Sequence, residues 1–269
     1  MRLRLMIQSV EARAARCTLC DVRSRMTESV VVEQTLPEFT HIVRGPYVIS
    51  SRSVITEEQA TQLIQMLLAG CDVPARSVLG GRSQSCVYQL SGIGRIFVKH
   101  YSHGGLLRSV TAGRFVACGK ARSQIEFEML EHVRALGVNA PKPLAIIKRG
   151  AIVYGTWLVM EELVDARTLV EIQRDDGEEL HRAMNAFAEQ LMLLIRNRVL
   201  HVDLHPGNVL VTPDGTVHVV DFDKAHYFKG SAQALRDLYL RRWRRAVIKH
   251  GLSPVLSEMI SLTLRSYHE

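Results

Sequence analysis

His201-Val202-Asp203-Leu204-His205-Pro206-Gly207-Asn208, followed downstream by Asp221-Phe222-Asp223, is the stretch on which the fold turns. Asp203 and Asn208 stand five residues apart, and Asp221 follows thirteen residues after Asn208. Val209-Leu210-Val211 and Val217-His218-Val219-Val220 read as two short strands, joined at Pro213-Asp214-Gly215, a strong turn signal. A hairpin of that length returns Asp221 beside Asn208. A lone H-x-D would be read as buried loop residues satisfying backbone groups, with Asp214 and Asp221 as turn and strand-end residues. Loop, hairpin and second acidic loop together point instead to a site where charge is handled.

Two carboxylates and an amide in this order suit phosphoryl transfer, which needs positioning and charge neutralisation more than covalent help. In the kinase template, H-x-D-x-x-x-x-N supplies the carboxylate that takes or orients the acceptor hydroxyl, here Asp203. The same template gives Asn208 and Asp221 to Mg²⁺. Such a site also needs a lysine on an upstream strand and a glutamate on the next helix. Cys86-Val87-Tyr88-Gln89-Leu90 and Arg95-Ile96-Phe97-Val98-Lys99-His100-Tyr101 read as paired strands around Ser91-Gly92-Ile93-Gly94, with Lys99 placed to bind the phosphates of ATP. Ser123 to Val133 has helical spacing, with Ile125, Met129, Leu130 and Val133 as its apolar stripe. Glu126 is the expected partner of Lys99. Glu128 is the alternative, turned about 200° around the helix.

Ahead of Lys99, Leu79-Gly80-Gly81-Arg82-Ser83-Gln84-Ser85-Cys86-Val87 occupies the place of a glycine-rich phosphate loop. Gly80 fits the G-x-G-x-x-G-x-V pattern, Gly81 is extra, and Arg82 and Ser85 replace the other two glycines. Gly80, Gly81 and Arg82 are the expected nucleotide-binding residues here, with Arg82 as a charged phosphate clamp.

These residues resemble the protein-kinase-like superfamily and, more narrowly, the bacterial lipopolysaccharide core kinases of the Kdo kinase type. Four stretches carry the narrower resemblance: His100 to Leu107, Ile125 to Leu130, Ala135 to Pro143, and Val220-Asp221-Phe222-Asp223. The similarity runs roughly from Gly80 to His250. It implies an α+β, bilobal fold with a small β-rich lobe and a larger helical lobe. It also implies ATP-dependent phosphorylation of a 3-deoxy-D-manno-octulosonic acid (Kdo) sugar on a lipid A precursor, at the cytoplasmic face of the inner membrane. Residue by residue, it carries over Asp203 as the catalytic Asp, Lys99 with Glu126 as the phosphate-binding pair, and Asn208 and Asp221 as metal ligands. The loop Leu204 to Asn208 looks more like that of small-molecule kinases for aminoglycosides or choline, an alternative acceptor class. Val202 stands where H-R-D has Arg, so no basic residue is there to pair with a phosphorylated activation loop. A non-catalytic scaffold is a further alternative, opposed by the intact Lys, Glu, Asp, Asn and Asp set.

Charge supports work near anions. The chain of 269 residues carries a net charge of +7, and from Val73 to Ile125 there is no Asp or Glu but eight Lys and Arg. Nucleotide, phosphorylated lipid and an anionic bilayer are the expected partners. Nucleic acid is not, since no zinc pattern, helix-turn-helix or aromatic RNA-binding signature accompanies the charge. Residues 101–119 read as an insertion, and Leu235 to Lys249 as a basic amphipathic helix containing Trp243. Each suits either a membrane surface or packing on its lobe. Five cysteines without a disulfide framework fit a reducing compartment, and Cys17-Thr18-Leu19-Cys20 lacks a second ligand pair for zinc. No stretch approaches the roughly 18 apolar residues of a membrane span. The expected location is therefore cytoplasmic and peripheral, on the inner membrane. Residues 1–40 read as a basic extension, with Met26 a plausible start, 41–160 as the N-lobe and 161–269 as the C-lobe. Thr56-Glu57-Glu58-Gln59 opens a helix with a capping box, Glu161-Glu162-Leu163 is the expected hinge for adenine, and Asp223 an accessory for metal or acceptor.

Overall fold

The computed structural model describes residues 37–70, 84–101, 115–116, 120–151, 153–174 and 177–266. They belong to a compact unit that begins at Pro37. Strands β1 (Thr40–Arg44) and β2 (Tyr47–Ser51) form a hairpin, and α1 (Glu57–Ala69) follows. The expected capping box is formed: the Thr56 side chain accepts from Gln59 N, and the Gln59 side chain accepts from Thr56 N. The chain continues through β3 (Gln84–Leu90), β4 (Gly94–Tyr101), β5 (Phe115–Val116), α2 (Arg122–Ala135), β6 (Pro143–Arg149) and β7 (Val153–Glu161). These strands make an antiparallel sheet in the order β1-β2-β6-β7-β4-β3, with β5 also paired to β7.

Side chains alternate across a strand, so the sheet has two faces to cover. Ile96 and Val98 of β4 join Tyr47, Ile49, Ile147 and Val159 in a core closed by Leu63 of α1. From the opposite face, Tyr101, Ile146, Leu158 and Met160 pack with Phe127, Leu130 and Val133 of α2. The second core continues without a break into the helical lobe, so α2 is the join between the lobes. The inward face of α2 differs in one respect from the sequence pattern. Ile125 is 40% exposed whereas Glu126 is 1% exposed, because the buried positions are Ser123, Glu126, Phe127, Leu130 and Val133.

The helical lobe comprises β8 (Arg167–Thr168), the short α3 (Leu169–Ile172), α4 (Gly177–Arg196), β9 (Val199–Leu200), β10 (Val209–Val211), β11 (Val217–Val219), β12 (His226–Tyr227), α5 (Ala232–Lys249) and α6 (Val255–Ser266). Leu180, Met184, Phe187, Leu191, Leu194 and Ile195 of α4 are all buried, the stripe expected from spacing. In α5 the aromatic residue amid arginines turns inward: Trp243 is 2% exposed, stacks on Phe187 at 4.8 Å and donates to Leu256 O. A membrane role for that ring is thereby excluded, while Arg241, Arg244 and Arg245 of α5 are exposed. Among the described residues no helix is long and apolar enough to cross a membrane. Cys86, buried on β3, is disulfide-bonded, which departs from the expectation of reduced thiols. The 101–119 insertion lies almost wholly outside the described residues.

Candidate active site

Period-two alternation places Lys99 between Phe97 and Tyr101 on the face of β4 that meets α2. Glu126, one turn before Leu130, faces back at it. The Lys99 ammonium donates to both Glu126 oxygens, at 2.8 and 3.0 Å, and also to Asp221 Oδ1. Tyr101 donates its hydroxyl to Glu126 as well. A carboxylate as deeply buried as Glu126 is costly unless paired and hydrogen-bonded, and this one has both a cation and a phenol. Burial works against the charge on Lys99, but Glu126 and Asp221 outweigh it and hold its pKa above the ordinary lysine value. Burial likewise opposes ionisation of Asp221, and Lys99 more than compensates, so its pKa lies below the ordinary value. The Tyr101 hydroxyl is pushed well up by burial and by Glu126, so it keeps the proton it donates to that carboxylate. Glu128 is engaged elsewhere, by Lys120 at 2.8 Å.

The loop after β9 is shaped by bonds from four directions. The Tyr239 hydroxyl of α5 accepts from His201 N and donates to Val199 O, both at 2.7 Å. Arg242, one turn further on, donates to Val202 O at 2.6 Å. The buried His201 ring bonds Val220 O at 2.9 Å and meets the Phe222 ring edge-on at 4.7 Å. Burial lowers its pKa, leaving the imidazole neutral. His205 caps a single 3₁₀ turn (Pro206–Asn208), accepting from Gly207 N at Nδ1. This turn presents Asn208, whose Nδ2 donates to Asp203 O at 3.0 Å.

The hairpin then returns the chain as its turn sequence requires. Gly215 sits at φ +84°, a conformation that favours glycine. The Asp214 carboxylate accepts from Thr212 Oγ1, Thr216 N and Thr216 Oγ1, which lowers its pKa to about 2. Val220 N donates to Asn208 O at 3.0 Å, so Asp221 arrives next to Asn208. Asp221 itself has φ +68°, and a non-glycine residue persists there only when its surroundings fix it. Lys99 on one side and buried Phe222 on the other do so.

Lys99, Glu126, Asp203, Asn208 and Asp221 thus come together from β4, α2 and the two loops of the helical lobe. Among the described residues no hydrogen bond reaches Asn208 Oδ1, and Asp221 adds a carboxylate. One amide and one carboxylate oxygen fit Mg²⁺, which keeps most of its positions for phosphate oxygens and water. Asp203 holds one oxygen on Lys224 Nζ at 2.6 Å. Asp223 is bound by the Arg122 guanidinium at the start of α2, which makes a structural tie between the lobes. In the expected hinge, Glu161 N and Glu162 N donate to Lys142 O and Arg95 O. Only the amide of Leu163 is left there without a hydrogen bond among the described residues. Gly80, Gly81 and Arg82 lie outside the described residues.

Tyr101, Arg122, Lys224, Tyr239 and Arg242 were not singled out for this site from sequence. Their partners are 21 to 101 residues away (Lys224–Asp203 and Arg122–Asp223 at the extremes), and no local pattern announces them.

A family model described as the lipopolysaccharide kinase (Kdo/WaaP) family matches residues 82–254. This range holds all five of the clustered residues. Three 3-deoxy-D-manno-octulosonic acid kinases illustrate the likeness among curated proteins. The Vibrio cholerae serotype O1 protein is 30% identical over 163 residues, 58% of this chain and 68% of that protein. The Photobacterium damsela subsp. piscicida protein is 31% identical over 158 residues, 56% and 64% of the two chains. The Xylella fastidiosa (strain M23) protein is 25% identical over 186 residues, 68% of each.

Proposed function

The chain belongs to the lipopolysaccharide kinase (Kdo/WaaP) family, and from that membership we propose that it transfers the γ-phosphoryl group of ATP to a hydroxyl of a Kdo sugar on a lipid A precursor, in lipopolysaccharide core assembly. The observation that carries this reading is the convergence of Lys99, Glu126 and Asp221 in one hydrogen-bonded group, with Asn208 and Asp203 beside it. Lys99, fixed by Glu126, binds nucleotide phosphates. Asp203 takes up or orients the acceptor hydroxyl proton, and the backbone bonds of its loop fix the direction from which it does so. Asn208 and Asp221 hold Mg²⁺, which when bound neutralises charge on the phosphates. Gly80, Gly81 and Arg82, which precede β3 in the sequence, are the residues proposed to bind the nucleotide phosphates.

The acceptor is lipid-borne, so the enzyme works at the anionic cytoplasmic face of the inner membrane as a peripheral protein. The outer arc of α5 supports this. Arg241, Arg244, Arg245 and Lys249 are exposed there, and Ile248 between them is 69% exposed. Each basic residue near an anionic surface adds about 1 kcal/mol of attraction.

The test is transfer of labelled γ-phosphate from ATP·Mg²⁺ to a Kdo-bearing lipid A precursor, beside a panel of small alcohols and an Asp203→Ala control. Labelled lipid that disappears in the variant is the expected result. Labelling of a small alcohol alone would refute the lipid acceptor.

A further inference from the structure

Four consecutive residues after β11 reach four different places. Asp221 pairs with Lys99, Phe222 enters the core, Asp223 is bound by Arg122, and Lys224 donates to Asp203 Oδ2 at 2.6 Å. Each of the first three has at least one largely buried side chain, Lys99 at 11%, Phe222 at 0% and Asp223 at 10%. The fourth is different, since the side chains of Lys224 and Asp203 are 56% and 40% exposed. An ion pair that open contributes about 0–1 kcal/mol to stability, so folding gives little reason for it.

The charge around Asp203 makes the pair chemically significant. The loop from His201 to Asn208 contains no lysine or arginine. Its second histidine, His205, is turned to its own backbone at Gly207 N and is kept neutral by burial. Lys99 is occupied by Glu126 and Asp221, and Arg122 by Asp223. Among the described residues Lys224 is the cation within hydrogen-bond reach of the Asp203 carboxylate. It binds Oδ2 of that group, and among the described residues no hydrogen bond reaches Oδ1.

We propose that Lys224 is a positioning residue for phosphoryl transfer: it anchors Asp203 Oδ2 so that Oδ1 meets the acceptor hydroxyl. This rests on the reading of Asp203 given above. In the step itself the acceptor oxygen forms a bond to the γ-phosphorus. The bond from that phosphorus to the β,γ-bridging oxygen breaks, ADP leaves with the electron pair, and the acceptor proton passes to Asp203 Oδ1. A carboxylate free to rotate would meet the hydroxyl in the right direction only part of the time, and misplacement of about 1 Å costs on the order of 10²-fold in rate. A lysine on the segment that also carries Asp221 fixes Asp203 relative to the metal-binding carboxylate, tying acceptor and nucleotide geometry together.

The experiment follows ADP formation from ATP·Mg²⁺ with the Kdo-bearing lipid A precursor, water also counting as an acceptor, in the wild type, Lys224→Met, Lys224→Arg and Asp203→Ala. Lys224→Met is expected to lower kcat on the order of 10²-fold, with KM for ATP and the melting temperature near wild-type values. Lys224→Arg should restore most of the loss, because a guanidinium can also hold one carboxylate oxygen. Unchanged or raised kcat in Lys224→Met, with Asp203→Ala inactive, would overturn the role of Lys224 and leave that of Asp203 standing. Loss of kcat matched by a large fall in melting temperature and no recovery in Lys224→Arg would also overturn it. Full activity in Asp203→Ala would overturn both.

Discussion

Two ion pairs stand within one site and are built on opposite terms. Lys99–Glu126 is closed off, with a glutamate side chain 1% exposed and a phenol sealing its outer oxygen, whereas Lys224–Asp203 is open on both sides. Burial makes the first pair part of the architecture: Lys99 cannot be removed without leaving the Glu126 carboxylate without its cation in a poor solvent. Openness makes the second nearly irrelevant to folding and leaves it free for chemistry. The proposed catalytic apparatus thus has a rigid half, set when the lobes pack, and an accessible half that sits on it.

The comparison breaks most visibly through Lys99→Met. Leaving Glu126 buried and unpaired should cost about 3–5 kcal/mol of stability, read from denaturant melts, and the double variant with Glu126→Gln should recover part of it. Asp203→Asn, by contrast, should change stability by no more than about 1 kcal/mol while lowering transfer on the order of 10²–10⁴-fold. Equal destabilisation by the two would erase the distinction.

A smaller effect sharpens the rigid half. Tyr239→Phe removes the hydroxyl that joins Val199 O to His201 N and should cost about 1–3 kcal/mol, with a fall in kcat as the loop of Asp203 loosens. Unchanged melts would mean that water takes the place of the hydroxyl.

The smallest effect concerns pH. His100, His132, His201, His205 and His218 all have pKa values lowered, in each case chiefly by burial. The unfolded chain takes up these protons near pH 6.5, the folded chain only at lower pH. Stability is therefore fully present above about pH 6.5 and declines below it. Melting temperature should fall between pH 7.5 and 5.5, and His218→Gln should flatten part of that slope. A flat profile over the window would contradict the burial of these rings.

The clustering of Lys99, Glu126, Asn208 and Asp221 was legible because the proposed phosphoryl transfer would demand fixed residue types at short, fixed spacings. The capping box at Thr56, the hairpin turn at Gly215 and the apolar stripe of α4 were equally plain, each being a local pattern with a local cause. What sequence could not show is where polar groups find distant partners. Glu126 reads as a surface residue by polarity and Ile125 as a core one; Lys99 and Tyr101, contributed by β4, reverse the two. Trp243 amid arginines reads as a surface ring until Phe187 is placed against it. Lys224 is an unremarkable lysine until a turn at Phe222 carries it to Asp203.

The ammonium of Lys99 has three hydrogens, and the folded chain uses three acceptor oxygens to occupy them, two on Glu126 and one on Asp221. For Lys99 to reach a phosphate, one must be released, and Asp221, with its side chain 39% exposed, is the partner that can leave. If Asp221 turns to a divalent cation, it frees a hydrogen for the nucleotide. If the nucleotide claims that hydrogen first, Asp221 is freed for the cation. Nucleotide and cation affinities are then reciprocally linked, each raised by the other by the same factor, and the free protein competes with both through a single bond.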